Sequence, residues 1–299
     1  MSKLVIVDGN AILHRSFHAL PPLTTRDGEP INAVYGLVSM LLRVVDDLNP
    51  THLVVCFDVK APTFRHKEFK EYQSQRPPTH EDLSGQFEKA REFLKAAYIP
   101  VYSKKGFEAD DLIGTLAKKT RTDEVVIVTG DRDILQLVDD KKGIKLYMPI
   151  AGLSNAKLFS EKETLERIGV IPKLITDYKA LVGDPSDNYK GVGGIGPKTA
   201  INLLNEFGSY KGIYANLDKI PAKLREKLEK GRKDAKMSLK LAQIVTNVAG
   251  KYDFEKMKKW DLGSKDVLYL FENFGFKTLT RRVKDFSKKK QEESQERLF

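Results

Sequence analysis

LVIVDGN, residues 4–10, is an unbroken apolar run that stops on a carboxylate, Asp8. Four aliphatic residues without polar alternation suit a strand buried on both faces, as in a parallel sheet covered by helices. Two more stretches repeat the arrangement: HLVVCF (52–57) leads into Asp58, and EVVIVT (124–129) leads into Asp131 and Asp133. IPVYS (99–103) and IKLYM (144–148) are weaker strand candidates. Between the first two strands, NAVYGLVSMLLRVVDDL (32–48) sets Ala33, Val34, Leu37, Leu41, Val44, Val45 and Leu48 on one helical face, and helical patterns also fill 81–97 and 108–119. Strands alternating with helices predict an α/β fold, a doubly wound parallel sheet over roughly the first 150 residues.

The carboxyl ends of parallel strands form the ligand-binding edge of such a sheet, so Asp8, Asp58, Asp131 and Asp133 are expected on one rim. GFEADDLIGTLA (106–117) follows a weaker strand and must start at the same edge. Its Ala109, Leu112, Ile113, Leu116 and Ala117 follow helical spacing, and acids in a first turn favour the positive end of the helix dipole by ~0.3–1 kcal/mol each. By that reading Glu108, Asp110 and Asp111 are helix decoration, just as a single strand-end aspartate is a turn residue. Seven acids meeting on one rim favour a different reading. Two unit charges ~4 Å apart cost on the order of 4 kcal/mol at an effective dielectric of 20, so the rim needs cations. Oxygen-only ligands select Mg²⁺ or Mn²⁺, and two such ions ~3.5–4 Å apart suit attack on a phosphodiester.

The rest of the composition bounds the chain. At 299 residues and 41% hydrophobic it can bury a sizeable core. No apolar run reaches the roughly 18 residues of a membrane span, and MSKLVIVDGN reads into a strand rather than a signal peptide; a cytoplasmic, nucleoid-associated monomer is expected. Cys56 is the single cysteine and sits inside an apolar run, which excludes an internal disulfide and a thiolate metal site. With 51 Lys plus Arg against 41 Asp plus Glu, the net charge of +10 points to a polyanionic partner, although excess lysine also makes an ordinary solvated surface.

From about residue 160 the chain reads as helical and glycine-punctuated. GVGGIG (191–196) formally matches a dinucleotide fingerprint, but the polar turn GDPSDNYK precedes it instead of a strand. Pro197 in place of lysine excludes a phosphate loop of the NTPase kind. A tight turn before a helix remains, with Pro197 at its first position and Lys198 and Thr199 beside it; free N–H groups there suit a phosphate. A helix-hairpin-helix gripping a DNA backbone fits, with a plain helical hairpin as the alternative. Asp184 and Asp187, just upstream, read as turn residues or as further acids reaching the rim. In PTFRHKEFKEYQSQRPPTH (62–80), Arg65, Lys67, Lys70 and Arg76 interleave with Phe64, Phe69 and Tyr72, which suits a single strand as well as a solvated helix with one apolar face.

In their order and spacing these segments resemble the 5′ nuclease domain of bacterial DNA polymerase I and its flap endonuclease relatives. VDGN, HRSFHALPPLTTRDGEPINAVYG, CFD, FRHKEFKEYQSQRPP, GFEADDLIGTLA, VTGDRDILQLV and GDPSDNYKGVGGIGPKTA carry the likeness over most of residues 1–210. The resemblance implies a PIN-like core over 1–158 with an arch at about 62–97, a helix-hairpin-helix region over 159–286, and a flexible tail at 287–299. It implies metal-dependent hydrolysis of DNA with a free or flapped 5′ end, in replication and repair. One ion would be held by Asp8, Asp58, Glu108 and Asp110. The second would be held by Asp110 or Asp111 with Asp131, Asp133 and Asp187, and Asp184 would stand outside them. K⁺ would sit on carbonyls of the hairpin, with Gly191, Gly193, Gly194, Gly196, Lys198 and Thr199 on the DNA. Arg15, Phe17, Arg65, Lys67, Lys70, Tyr72 and Arg76 would contact the 5′ strand.

Gln73 departs from the family pattern, in which lysine follows the tyrosine; Lys70 or Lys67 would substitute, or turnover would fall. No polymerase domain follows, so the chain reads either as free-standing or as part of something longer. Its QERLF ending (295–299) resembles peptides that dock into the sliding clamp, an expectation that clamp binding after deletion of 295–299 would test. An RNA-cleaving PIN enzyme and a non-catalytic DNA-binding scaffold are the competing readings.

Overall fold

The structure, a computed structural model, describes residues 1–151 and 155–296. Six strands form the central sheet: β1 (Lys3–Asp8), β2 (His52–Cys56), β3 (Val101–Tyr102), β4 (Glu124–Val128), β5 (Ile144–Ala151) and β6 (Asn155–Phe159). Their order is β3-β2-β1-β4-β5-β6, parallel except for β6, which runs antiparallel to β5. β1 is central, pairing Leu4 with both His52 and Val125. Its four aliphatic residues are fully buried, and the period of two divides them: Leu4 and Ile6 enter one core, Val5 and Val7 the other. At ~1.5–3 kcal/mol for each such side chain, this strand anchors both layers.

The order in which strands are added reverses at β1, since β2 and β3 build outward on one side before β4 joins on the other. A crevice at the carboxyl ends is the geometric consequence of that reversal, and ligands of open α/β sheets bind there. Helices Asn32–Leu48 and Gln86–Ala96 cover one face and Ala109–Lys119 the other.

Several expectations need correction. The region after 158 packs on both faces of the sheet. Ile175, Leu203, Ile213, Leu228 and Ile244 complete the core beneath the helix Ala109–Lys119. Trp260, Val267, Phe271, Phe276 and Leu279 return to the opposite face, against the helix Asn32–Leu48. β6 carries no sequence signal because, as an edge strand with lysine at 157, it buries Phe159 deeply and little else. The helical pattern at 81–97 is two pieces, Glu81–Ser84 and Gln86–Ala96, joined at Gly85. Segment 62–80 is not one helix but a single short one, Phe64–Glu68, followed by tight turns. Backbone at 287, expected to be tail, continues the helix Lys277–Glu296, and the apolar end of QERLF, Leu298 and Phe299, lies outside the described residues. Among the described residues no helix is long and apolar enough to cross a membrane.

Candidate functional site

Asp8 ends β1 and caps the next helix, Gly9–Ala19, accepting the Ala11 N–H at 2.9 Å. The Thr129 hydroxyl, at the end of β4, donates to the other Asp8 oxygen at 2.7 Å and accepts the Asp131 N–H at 3.0 Å; Asp131 in turn accepts the Asp133 N–H at 2.8 Å. This relay carries the acids of β1 and β4 across the crevice. On the other side, Asp58 is fixed by its own N–H to the Asn10 side chain at 2.9 Å and by the Ala109 N–H at 2.7 Å. Asp8, Asp58, Glu108, Asp110, Asp131, Asp133 and Asp187 all line one cleft of about 530 Å³.

Asp111 is missing from that set, against expectation. Glu108 and Asp111 form a capping box at the start of the helix Ala109–Lys119, with the Glu108 N–H on Asp111 at 3.1 Å. Asp111 is fully buried and takes two parallel bonds from Arg65, at 2.9 and 3.0 Å, and the Val245 N–H at 2.9 Å. With its oxygens so engaged, it holds structure rather than facing the cleft. The acid cluster is therefore partly helix capping and partly rim: Asp111 caps, Asp110 faces the cleft, and Glu108 does both.

Arg65 is corrected with it. Only 2 % exposed, it pairs with Asp111 and Glu108 and also donates to the carbonyls of Leu241 and Gln243, leaving nothing to offer DNA. Tyr72 is buried too, its hydroxyl donating to Asp187 at 3.1 Å and lying 3.3 Å from Glu108. Lys67 and Lys70 are exposed and do not line the cleft. Arg76 does, and meets Asp187 at 2.6 Å. Gln73, with φ of 55°, gives Asp187 both its side-chain amide at 3.1 Å and its backbone N–H, the latter to the carbonyl at 3.0 Å. Segment 62–80 thus crosses the cleft and lands on Asp187. Phe17 meets His18 edge-on and His80 at a tilt, and Arg15 reaches the Gly130 turn.

Asp133, Asp184 and Asp187 offer oxygens that all lie within 4.8 Å of one another, and no other such trio occurs among the described residues. The Lys179 ammonium bridges Asp133 and Asp184, the latter at 2.6 Å. Lys179 escaped sequence reasoning because nothing in LITDYKALVGD marks a lysine five positions before an aspartate. Asn10, Thr129 and His66 also escaped it; His66 accepts from or donates to Thr63 at 2.9 Å and packs edge-on against Tyr72.

Burial dominates the electrostatics. Desolvation pushes the Asp8 carboxyl up to about 7, against the Ala11 and Thr129 hydrogen bonds that lower it. Desolvation takes Glu108 to about 7, opposed by Arg65. Asp133 rises to about 6 through burial and the Asp131 charge, with Lys179 opposing. Asp110 is raised well above the usual range by burial and then by Asp131. Such a set prefers protons or cations to bare charge. The donors are all oxygen, so hard divalent ions fit, and the Lys179 ammonium offsets part of the charge of Asp133 and Asp184.

At the glycine-rich turn, Gly196 caps the helix Pro197–Phe207 with Pro197 at its first position, as expected. A Cβ on Gly191 would stand 2.3 Å from the Leu181 carbonyl oxygen, so this glycine is structural, whereas nothing lies within 4 Å of one on Gly193 or Gly196. Gly194, φ +76°, gives its carbonyl to the Lys227 ammonium at 3.0 Å. Gly193, Gly194, Gly196 and Lys198 are exposed and Thr199 half-buried.

Comparison with known proteins agrees with this architecture. Residues 3–169 match the N-terminal resolvase-like domain of 5′-3′ exonucleases, and 170–265 match their C-terminal SAM fold. The chain is 39% identical over 298 residues to DNA polymerase I of Bacillus subtilis, covering 98% of this chain and 34% of that protein. It is likewise 39% identical over 283 residues to DNA polymerase I of Caldicellulosiruptor bescii, covering 94% and 33%. The chain therefore spans about a third of the length of the curated relatives it matches. Among solved structures, it resembles the bacteriophage T5 flap endonuclease in complex with DNA and metal ions (TM-score 0.66, 22% identity, 96% of this chain and 98% of that one). It also resembles flap endonuclease-1 from Methanococcus jannaschii (TM-score 0.63, 19% identity, 95% and 91%).

Proposed function

The chain belongs to the 5′-3′ exonuclease family, and from that premise we propose that it is a divalent-metal-dependent nuclease that hydrolyses DNA phosphodiesters near free or flapped 5′ ends. The observation that carries this reading is the convergence of seven carboxylates from four strand ends and the Asp187 turn on one cleft, crossed by a basic and aromatic segment.

Asp8, Asp58, Glu108, Asp110 and Asp131 would hold one Mg²⁺, and Asp133, Asp187 and Asp184 the other. When bound, such ions supply a more acidic water and neutralise charge on the phosphate in the transition state. Everything else falls to this chain's own groups. Asn10 and the Ala109 N–H orient Asp58. Tyr72 ties Asp187 to Glu108, so that the crossing segment and the acid rim hold one geometry. Lys179 balances Asp133 and Asp184. Arg76, half exposed on the side facing the cleft, is the cation placed to meet a scissile phosphate, because Gln73 supplies no charge beside it. At the other end, the N–H groups opening the helix Pro197–Phe207, with Lys198, would grip a duplex phosphate. K⁺ bound at that turn would use carbonyls other than that of Gly194, which Lys227 occupies.

A labelled 5′-flap substrate tests the reading. Cleavage that needs Mg²⁺ and collapses in Asp131→Ala while DNA binding persists supports it; binding with no cleavage under any divalent ion leaves the scaffold reading standing. Clamp docking through residues 295–299 rests on sequence alone, and deletion of those residues in a clamp-binding assay decides it.

A further inference from the structure

Tyr189 buries a hydroxyl beside these acids that meets no partner. The residue is 4 % exposed and follows Asp187 by two positions, on the short ladder Tyr189–Lys190. It packs in a cluster with Tyr72, Leu241 and Ala242. Its Oη reaches no donor or acceptor, a condition shared, among the buried side-chain polar atoms of the described residues, with Ser16 alone. Across that ladder Tyr189 pairs with Asp184, and Tyr72, in the same cluster, donates to Asp187; Asp184 and Asp187 converge with Asp133.

Burying a hydroxyl without a hydrogen bond costs ~1–3 kcal/mol, and phenylalanine would fill the same space without that cost. A phenol kept without a partner beside this acid cluster therefore implies something polar that it meets in the working protein. Lys179 is engaged with Asp133 and Asp184 and is no partner of Tyr189. A hard cation such as Mg²⁺ retains several waters when held by few carboxylates, and each of those waters donates strongly. A phenol oxygen can accept from such a water.

Resting on the metal-dependent reading above, we propose that Tyr189 is a positioning residue of the Asp133–Asp184–Asp187 cation site, its hydroxyl bonding a water of the cation's shell and so fixing the hydrated ion. Groups in this position typically govern affinity by 10–100-fold.

Tyr189→Phe removes the hydroxyl and keeps the ring. Mn²⁺ titration of the full chain without DNA, read by the paramagnetic resonance signal of the free ion, reports each site separately from turnover. In wild type two ions are expected, one of them lost in Asp133→Asn. In Tyr189→Phe that same ion is expected to bind about tenfold or more weakly, the other to be unchanged, and the melting temperature in EDTA to hold or rise. Unaltered affinity at both sites overturns the role of Tyr189 while leaving the metal reading intact. A uniform loss at both sites with a lowered melting temperature also overturns it, since that is what a merely structural residue would do. No ion sensitive to Asp133→Asn in wild type would remove the metal reading itself.

Discussion

Arg65 closes on Asp111 through two parallel hydrogen bonds, Nη1 to Oδ2 at 2.9 Å and Nη2 to Oδ1 at 3.0 Å, with both side chains out of solvent. The same guanidinium holds the carbonyls of Leu241 and Gln243, and the same carboxylate the Val245 N–H. One ion pair therefore ties the foot of the crossing segment, the acid-bearing helix and the strand-like stretch after Ala242. Removing one partner leaves the other charge buried and alone, which costs ~3–5 kcal/mol. Asp111→Ala is accordingly expected to lose about that much in urea unfolding measured in EDTA, and Arg65→Met a similar amount. The double variant should recover part of the loss. If Asp111→Ala unfolds at the wild-type urea concentration but abolishes Mn²⁺ binding, Asp111 is a ligand after all.

Without divalent ions the rim acts against folding at neutral pH. Asp8 and Glu108 sit at about 7 and Asp133 at about 6 in the folded chain, above their ordinary 3.8 and 4.5. Between about pH 4 and 7 the folded protein thus binds more protons than the unfolded chain, and stability falls as pH rises through that window. The carboxyls held low, such as Asp139, Asp184 and Glu163, lose their contribution only toward its lower end and below, while His14, His52 and His66, lowered by burial, oppose the trend in part. The urea midpoint in EDTA is expected to be lower at about pH 8 than at about pH 5, and Mg²⁺ should raise it more at the higher pH. Equal midpoints at both pH values would contradict the crowding of these acids.

Gln73 places a neutral amide on Asp187, at the position where the resemblance leads to the expectation of a lysine. Gln73→Lys adds a second cation beside Arg76, which is itself paired with Asp187, and flap cleavage under single-turnover conditions is expected to quicken on the order of tenfold. Arg76→Ala should slow it by roughly 10²-fold or more, as loss of one donor to a developing oxyanion does. Equal rates for wild type and Arg76→Ala would show that the phosphate is met elsewhere.

Two glycines of the same turn should separate packing from binding. Gly191→Ala drives a methyl to 2.3 Å from the Leu181 carbonyl, so a lower melting temperature is expected. Gly193→Ala meets nothing within 4 Å and should fold normally, yet bind duplex DNA more weakly if phosphate approaches the turn backbone. Fluorescence anisotropy with a blunt duplex reads the second effect; an unchanged dissociation constant would move the duplex contact off this turn.

By itself the sequence determined the parallel strands of the sheet and most of the acids on its rim. Unbroken aliphatic runs such as Leu4–Val7 can be satisfied only between two helical layers, and acids that follow such runs have nowhere to go but the strand ends. Local chemistry also settled the Pro197 helix start, because proline at a first turn and glycine before it depend on backbone geometry alone. What the tertiary structure decided is how charges divide the work. Asp110 and Asp111 are neighbours in sequence with the same side chain, and the helix turn of about 100° between them sends one to the cleft and the other to Arg65. Arg65 reads as a strand-binding cation until its partners, 46 and 176 residues away, enclose it. Lys179 and Tyr189 have no local pattern at all. Their roles come from the fold bringing Asp133 beside Asp184 and Asp187, a meeting of distant segments that composition and periodicity do not encode.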